Sequence, residues 1–207
     1  NSAVVELVTR YYVRMDRADE GVAFAREQMM AHPDSEGLAM AYAMTLRQTG
    51  HKNDLDACLK EMRKHFPHSQ NVLFAYVEYL SASRRWNEAI GVMEGAIGQV
   101  AGTSDFWHRL GTLYEMVGNM PKSEECMRRA LGIMPDSTGI NNDLGYFWVD
   151  RGMHLAEAEV MITKAVDNQP NNGAFIDSLG WLRYQQGRYA EAVTLLEKAV
   201  TTDEGHG

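Results

Sequence analysis

Four of the five prolines, Pro33, Pro67, Pro135 and Pro170, are separated by 34, 68 and 35 residues. These are one period, two periods, and one period plus a residue. A period near 34 marks an all-α array of helix-turn-helix repeats. No single helix pair there buries its apolar face, so neighbours stack to share a continuous core. Carried along the chain, the register gives six repeats: 2–35, 36–69, 70–103, 104–137, 138–172 and 173–206. About twelve helices are expected, in a single array over 1–207 with no linker. The fifth repeat needs one extra residue in its turn, around 151–155, and the first repeat fits the register least well.

The residue pattern inside the period has a packing reason. Position 8 reads Thr9, Ala43, Val77, Gly111, Gly145 and Gly180; position 20 reads Gly21, Leu55, Ala89, Ser123, Ala158 and Ala192. Small residues here and at position 27 let two antiparallel helices approach closely, while larger ones at positions 4, 7, 11 and 24 fill the space between neighbours. Gly50, Gly118, Gly152 and Gly187 recur near position 15, where glycine takes the left-handed cap conformation at low cost. Pro121 suits the start of a second helix, and the proline at position 32 ends one.

The copy from Ser104 to Ser137 carries Trp107, Leu110, Gly111 and Tyr114 as W-x2-L-G-x2-Y, followed by Ser123, Met127, Ala130 and Pro135. This resembles the tetratricopeptide repeat (TPR), although Ser123 and Met127 replace the family's Ala and aromatic. The resemblance implies a right-handed superhelical α-solenoid whose concave groove binds a partner peptide or helix. Asn141-Asn142-Asp143-Leu144-Gly145-Tyr146 and Asp177-Ser178-Leu179-Gly180-Trp181 look like repeats of certain bacterial TPR proteins. Some of those are associated with the cell envelope or secretion, and some are adaptors for proteases.

The net charge of −8 is uneven, with more than half of it in the last two repeats. Nucleic-acid binding needs a basic footprint and is not expected. No apolar run of about 18 residues is present, so no transmembrane segment is expected. The chain begins at Asn1 and no signal-peptide pattern opens it, which reads as a cut fragment or a processed product and leaves the compartment open. The expectation is a soluble bacterial protein of the cytoplasm or of the periplasm and cell envelope. Cys58 and Cys126 both fall at position 23, two repeats apart. Packed helices lie roughly 8–10 Å apart, so a disulfide is not expected and both read as small buried hydrophobes.

Catalytic patterns are missing: H-E-x-x-H, C-x-x-C, G-x-S-x-G and G-x-G-x-x-G do not occur. Gly118–Ser123 distantly resembles a phosphate loop but reads as an inter-helix turn. His65 and His68 flank a proline that breaks the helix, and read as solvated. The chain is expected to be no enzyme and to hold no cofactor or metal.

The partner surface follows from helix geometry. Positions 4, 7, 8 and 11 of each first helix cluster on the packing side; positions 2, 5, 9, 12 and 13 lie opposite. By the TPR resemblance, this second set lines the groove. The candidates are Arg10, Arg14, Met44, Arg47, Glu78, His108, Asn142, Tyr146, Asp177, Trp181 and Tyr184, with Val149 on the same face. The arginines favour acidic groups, and the acidic, aromatic end favours basic or apolar ones. Position 9 is borderline in angle, so Tyr146 and Trp181 read either as groove anchors or as wide core residues. Co-chaperones of the large heat-shock proteins grip a terminal carboxylate with Lys, Asn and Arg on three successive first helices. Here Arg109 has Ala75, His108, Asp143 and Ser178 around it, and that clamp is absent. The leading function is a protein-interaction scaffold. The alternatives are self-association through exposed repeat ends as a homodimer, or a fragment of a larger TPR protein whose activity lies elsewhere. Two substitutions test the register by thermal melting. Gly111→Leu is expected to cost about 1–3 kcal/mol through overpacking, and Trp107→Ala about 3–5 kcal/mol where that ring is fully buried. Unchanged melting of both would remove the register.

Overall fold

The computed structural model describes residues 1–204; residues 205–207, including the expected end of the sixth repeat, lie outside the described residues. Among the described residues there are thirteen helices and no strands. They divide into two compact units, Asn1–Ala101 and Gly102–Gly207. The first holds α1 (Ser2–Arg14), α2 (Ala18–Ala31), α3 (Glu36–Gln48), α4 (Lys52–His65), α5 (Gln70–Ala82), α6 (Trp86–Gly95) and α7 (Ile97–Val100). The second holds α8 (Ser104–Met116), α9 (Met120–Ile133), α10 (Thr138–Asp150), α11 (Leu155–Asn168), α12 (Gly173–Gln185) and α13 (Tyr189–Glu204).

Each first helix starts after a small polar residue: Asn1, Ser35, Ser69, Thr103, Ser137 and Asn172. Five of these accept a hydrogen bond from a first-turn N–H, which satisfies a donor that the helix itself leaves orphaned. Ser137 does not. That turn is closed instead by the buried Asn141, whose amide donates to the carbonyls of Pro135 and Ser137 at 2.9 and 2.8 Å. The second helices α2, α4, α9 and α11 each stop two residues before a proline, because a residue preceding proline is driven out of the α region. The third and sixth repeats lack that proline. In the sixth, α13 extends to Glu204. In the third, the second helix breaks at Ala96 into α6 of ten residues and α7 of four, giving thirteen helices rather than twelve. Gly91, Gly95 and Gly98 weaken that stretch, each by about 1 kcal/mol relative to alanine.

The inter-helix turn uses one conformation throughout. Gly50, Gly118, Gly152 and Gly187 have φ of +78, +75, +64 and +76°. Asp16 and Arg84, at the same position of the first and third repeats, have φ of +58 and +55° without the freedom of glycine. The fifth turn has four residues where the others have three, and its additional residue, His154, is also left-handed at +46°. The expected insertion therefore falls where the register put it.

Both units have apolar cores between the helix layers. In the first, Val5, Ala25, Leu38 and Ala41 cluster, with Phe24 and Tyr42 packed against them. In the second, Met127, Leu144, Phe147, Trp148, Val149, Ala158, Ile162 and Leu182 cluster. Cys126 is buried, Cys58 is half-buried, and the two are not joined by a disulfide. Trp107 is only half-buried. It sits edge-on to Phe106, with the Arg129 guanidinium 4.6 Å from its ring centre. Its truncation therefore falls below the fully buried expectation, to about 1–2 kcal/mol. Arg84→Gly relieves the left-handed strain and is expected to stabilise by about 0.5–1 kcal/mol. Chemical denaturation reads this, and a lower midpoint for the variant would contradict the turn assignment.

Candidate functional site

In the N-terminal unit, a cavity of about 420 Å³ lies among α3, α4 and α5. Met40, Ala43 and Met44 line it from α3, Leu55 and Leu59 from α4, and Ala75, Tyr79 and Ala82 from α5. The void exists because the lining from α3 and α5 includes alanines at 43, 75 and 82, which leave the space between the helices unfilled. Two methionines a helical turn apart give it a deformable apolar wall. Arg47 and Glu78 also line it and pair across α3 and α5 at 2.8 Å, with more than half of each side chain in solvent. Three of the residues singled out by sequence, Met44, Arg47 and Glu78, thus meet around one opening. Arg10 and Arg14 do not join them. Both are exposed on α1 and line a separate shallow depression with Leu7 and Tyr11.

In the C-terminal unit, His108 Nε2 lies 2.8 Å from Asp143 Oδ2, linking α8 to α10. Asn142 is buried rather than displayed. Its Nδ2 donates to Asp143 at 3.3 Å, and its Oδ1 has no hydrogen-bond partner among the described residues. A buried acceptor left without a partner costs about 1–3 kcal/mol. Val149 is fully buried, not on the groove face, because α10 is packed by α9, α11 and α12.

The two readings of position 9 divide between the two aromatics. Tyr146 is exposed. Its phenol pKa is raised, first by partial burial and then by the negative charges of Asp150, Asp177 and Glu115, against the opposing Arg151. Tyr146 and Asp177 are thereby brought into one acidic neighbourhood. Trp181 is half-buried against the core cluster, and its indole Nε1 is buried without a hydrogen-bond partner among the described residues. Tyr184 stacks on it at 5.0 Å with the rings 7° from parallel, and Tyr189 extends the group at 5.4 Å. Trp181 is therefore partly a core residue, and Tyr184 is its exposed face.

The cavity among α3, α4 and α5 was not visible as such in the sequence. Its signal is the pair Ala75 and Ala82, at positions 6 and 13 of the third repeat, opposite Ala43. Among the described residues, no group of three or more His, Cys, Asp or Glu is placed to hold a metal ion, and no helix is long and apolar enough to cross a membrane.

Stacked antiparallel helix hairpins of this length define each unit as an α-solenoid of the helix-turn-helix class. Within that class, the tetratricopeptide-repeat family model matches residues 175–207. The TPR repeat-containing protein PA4667 of Pseudomonas aeruginosa is 28% identical over 129 residues, which covers 62% of this chain and 22% of that protein. The chain thus spans about a fifth of the length of the curated relative it matches. Among solved structures, BtubC (BKLC) from P. vanneervenii superposes with a TM-score of 0.73 at 14% identity, over 91% of this chain and 89% of that one. YrrB, a TPR protein with an unusual peptide-binding site, superposes at 0.65 with 15% identity, over 88% and 93%. At these identities the likeness is one of fold.

The exposed Arg47–Glu78 pair contributes little to stability. A double-mutant cycle with Arg47→Ala and Glu78→Ala is expected to give a coupling of about 0.2–1 kcal/mol; a much larger value would make the pair structural.

Proposed function

We propose that the chain is a non-enzymatic protein-interaction scaffold that binds an extended or helical partner segment on the groove face of its first helices. The observation that carries this reading is the apolar cavity among α3, α4 and α5, with the Arg47–Glu78 pair beside its opening. A few hundred cubic ångströms of apolar space with a small number of polar groups is the ordinary form of a recognition pocket. Here it takes one or two apolar side chains of the partner, while the guanidinium and carboxylate bond its backbone. The C-terminal unit offers a different chemistry. Tyr146 among Asp150, Asp177 and Glu115, beside the Trp181–Tyr184 stack, suits a basic or aromatic residue. The peptide-binding site of YrrB agrees with this reading at the level of the fold.

A second reading, self-association, is favoured by apolar side chains left in solvent on α1 and α13. Val4, Leu7 and Tyr11 form a stripe at helical spacing along α1, and Val193 and Val200 lie exposed on α13. Light scattering over a concentration series separates a dimer from a monomer, and Leu7→Lys would dissolve a dimer made through α1.

Selection from a displayed random-peptide library tests the main reading. Ala82 is exposed and lines the cavity, so Ala82→Trp plugs it without entering the core. Recovered peptides are expected to carry an apolar anchor whose affinity falls at least tenfold on Ala82→Trp, or a basic or aromatic residue whose contribution falls on Tyr146→Ala. No enrichment, or peptides indifferent to both variants, would overturn the assignment.

A further inference from the structure

We propose that the N-terminal unit has a second docking surface, on its second helices, for a basic amphipathic helix of a partner protein. A groove of about 1400 Å³ runs between α2 and α4. It shares no lining residue with the cavity among α3, α4 and α5. The two surfaces are therefore separate, and this inference stands apart from the groove-face function proposed above.

The sequence explains why the groove is open. Ala23 and Ala31 on α2 and Ala57 on α4 line it, and such short side chains cannot fill the space between two second helices. Its floor is Ala39 and Tyr42 of α3, and Met29, Met30 and Met62 supply apolar walls. Methionine walls adapt to a partner without a fixed shape. Cys58 in the same groove is held as a neutral thiol, its pKa pushed up to about 11 by burial, so it acts there as a small apolar contact and not as a nucleophile.

The size and charge of the groove select the occupant. A helix about 10 Å across fills roughly 400 Å³ per turn, so the groove accommodates about three turns. Four carboxylates line it, Asp19, Glu27, Asp54 and Glu61, against the single guanidinium of Arg26. The two histidines present, His51 and His65, face acids themselves: His51 lies 3.5 Å from Asp19, and His65 lies 3.2 Å from Asp34. Glu61 is also paired with Lys64 at 2.6 Å, at the groove's outer edge. An apolar floor within an acidic border matches a helix with a leucine or methionine stripe at i, i+3, i+4 and i+7 and lysine or arginine on its flanks. An acidic helix would meet repulsion along both walls, and an extended chain would leave most of the apolar floor uncovered.

The test uses a labelled 16-residue helical peptide with leucine at those four positions and lysine on both flanks. Its counterpart has glutamate in place of every lysine. Fluorescence anisotropy with the whole chain is expected to show the lysine peptide binding at least tenfold tighter than the glutamate one, with the preference reduced by added salt. Ala57 is exposed at the groove, so Ala57→Trp fills it and is expected to weaken binding at least tenfold. Ala23→Trp does the same from α2, should the first variant melt early by circular dichroism. Asp54→Lys together with Glu61→Lys is expected to reverse the preference between the peptides. Ala82→Trp, at the other cavity, leaves the affinity unchanged. Equal affinity for both peptides, or binding untouched by Ala57→Trp and Ala23→Trp, overturns the proposal. Binding abolished by Ala82→Trp instead would place the peptide on the groove face and equally overturn it.

Discussion

The close approach of the two helices within a hairpin is the constraint on which the other features depend. A Cβ at Gly111 would stand 3.1 Å from Met127 Cγ and 3.2 Å from the Ser123 carbonyl oxygen. At Gly145 it would stand 2.7 Å from Ile162 Cγ1, and at Gly180 2.9 Å from Leu196. The fourth, fifth and sixth repeats therefore close almost backbone to backbone. The first three hold Thr9, Ala43 and Val77 at the same position, and their helix pairs approach less closely along their length. Alanines at 43, 75 and 82 leave one opening unfilled, and Ala23, Ala31 and Ala57 leave another. Both apolar cavities discussed above belong to the N-terminal unit, where this happens.

The turn conformation is a second, independent constraint. A left-handed residue after every first helix is required by the geometry of the reversal, whatever residue supplies it. Four repeats supply glycine, while Asp16 and Arg84 accept the strain. Proline then stops four of the second helices; in the third repeat, which lacks it, the second helix is interrupted at Ala96, amid glycines. Cap, turn and stop each act within a few residues. The register can therefore be held by local signals while the binding surfaces differ from one repeat to the next.

These local signals are why the fold was legible in the sequence. The period, the small residues at position 8, the turn glycines and the inserted residue near 151–155 each had one structural consequence, and each appears at its place. The break at Ala96 was less legible, because three scattered glycines lower helix stability without marking a boundary. The candidate surface was legible only in part. Helical angle alone put Val149 and Asn142 on the open face, and both are buried because α10 has neighbours on more than one side. The same angle left Trp181 undecided, and its ring lies between core and surface. Angles describe one helix, whereas burial depends on what stands beside it. The cavities were not legible at all, since a void depends on the residues of three helices jointly.

Stability and recognition draw on largely different residues here. The hairpins are closed by Gly111, Gly145, Gly180 and the buried side chains opposite them. The charged groups around the cavities, Arg47 and Glu78 on one side and Asp54 and Glu61 on the other, are exposed or at an edge and contribute little to the core. On the readings proposed above, exchanging them would change the partner while leaving the fold in place. Leu55 and Leu59 are the exception, because they form the floor of the cavity among α3, α4 and α5 while remaining core residues of α4. A partner side chain seated there extends the apolar core and removes the last solvent contact of those two leucines. On the reading proposed above, an occupant of that kind would stiffen the hairpin it enters.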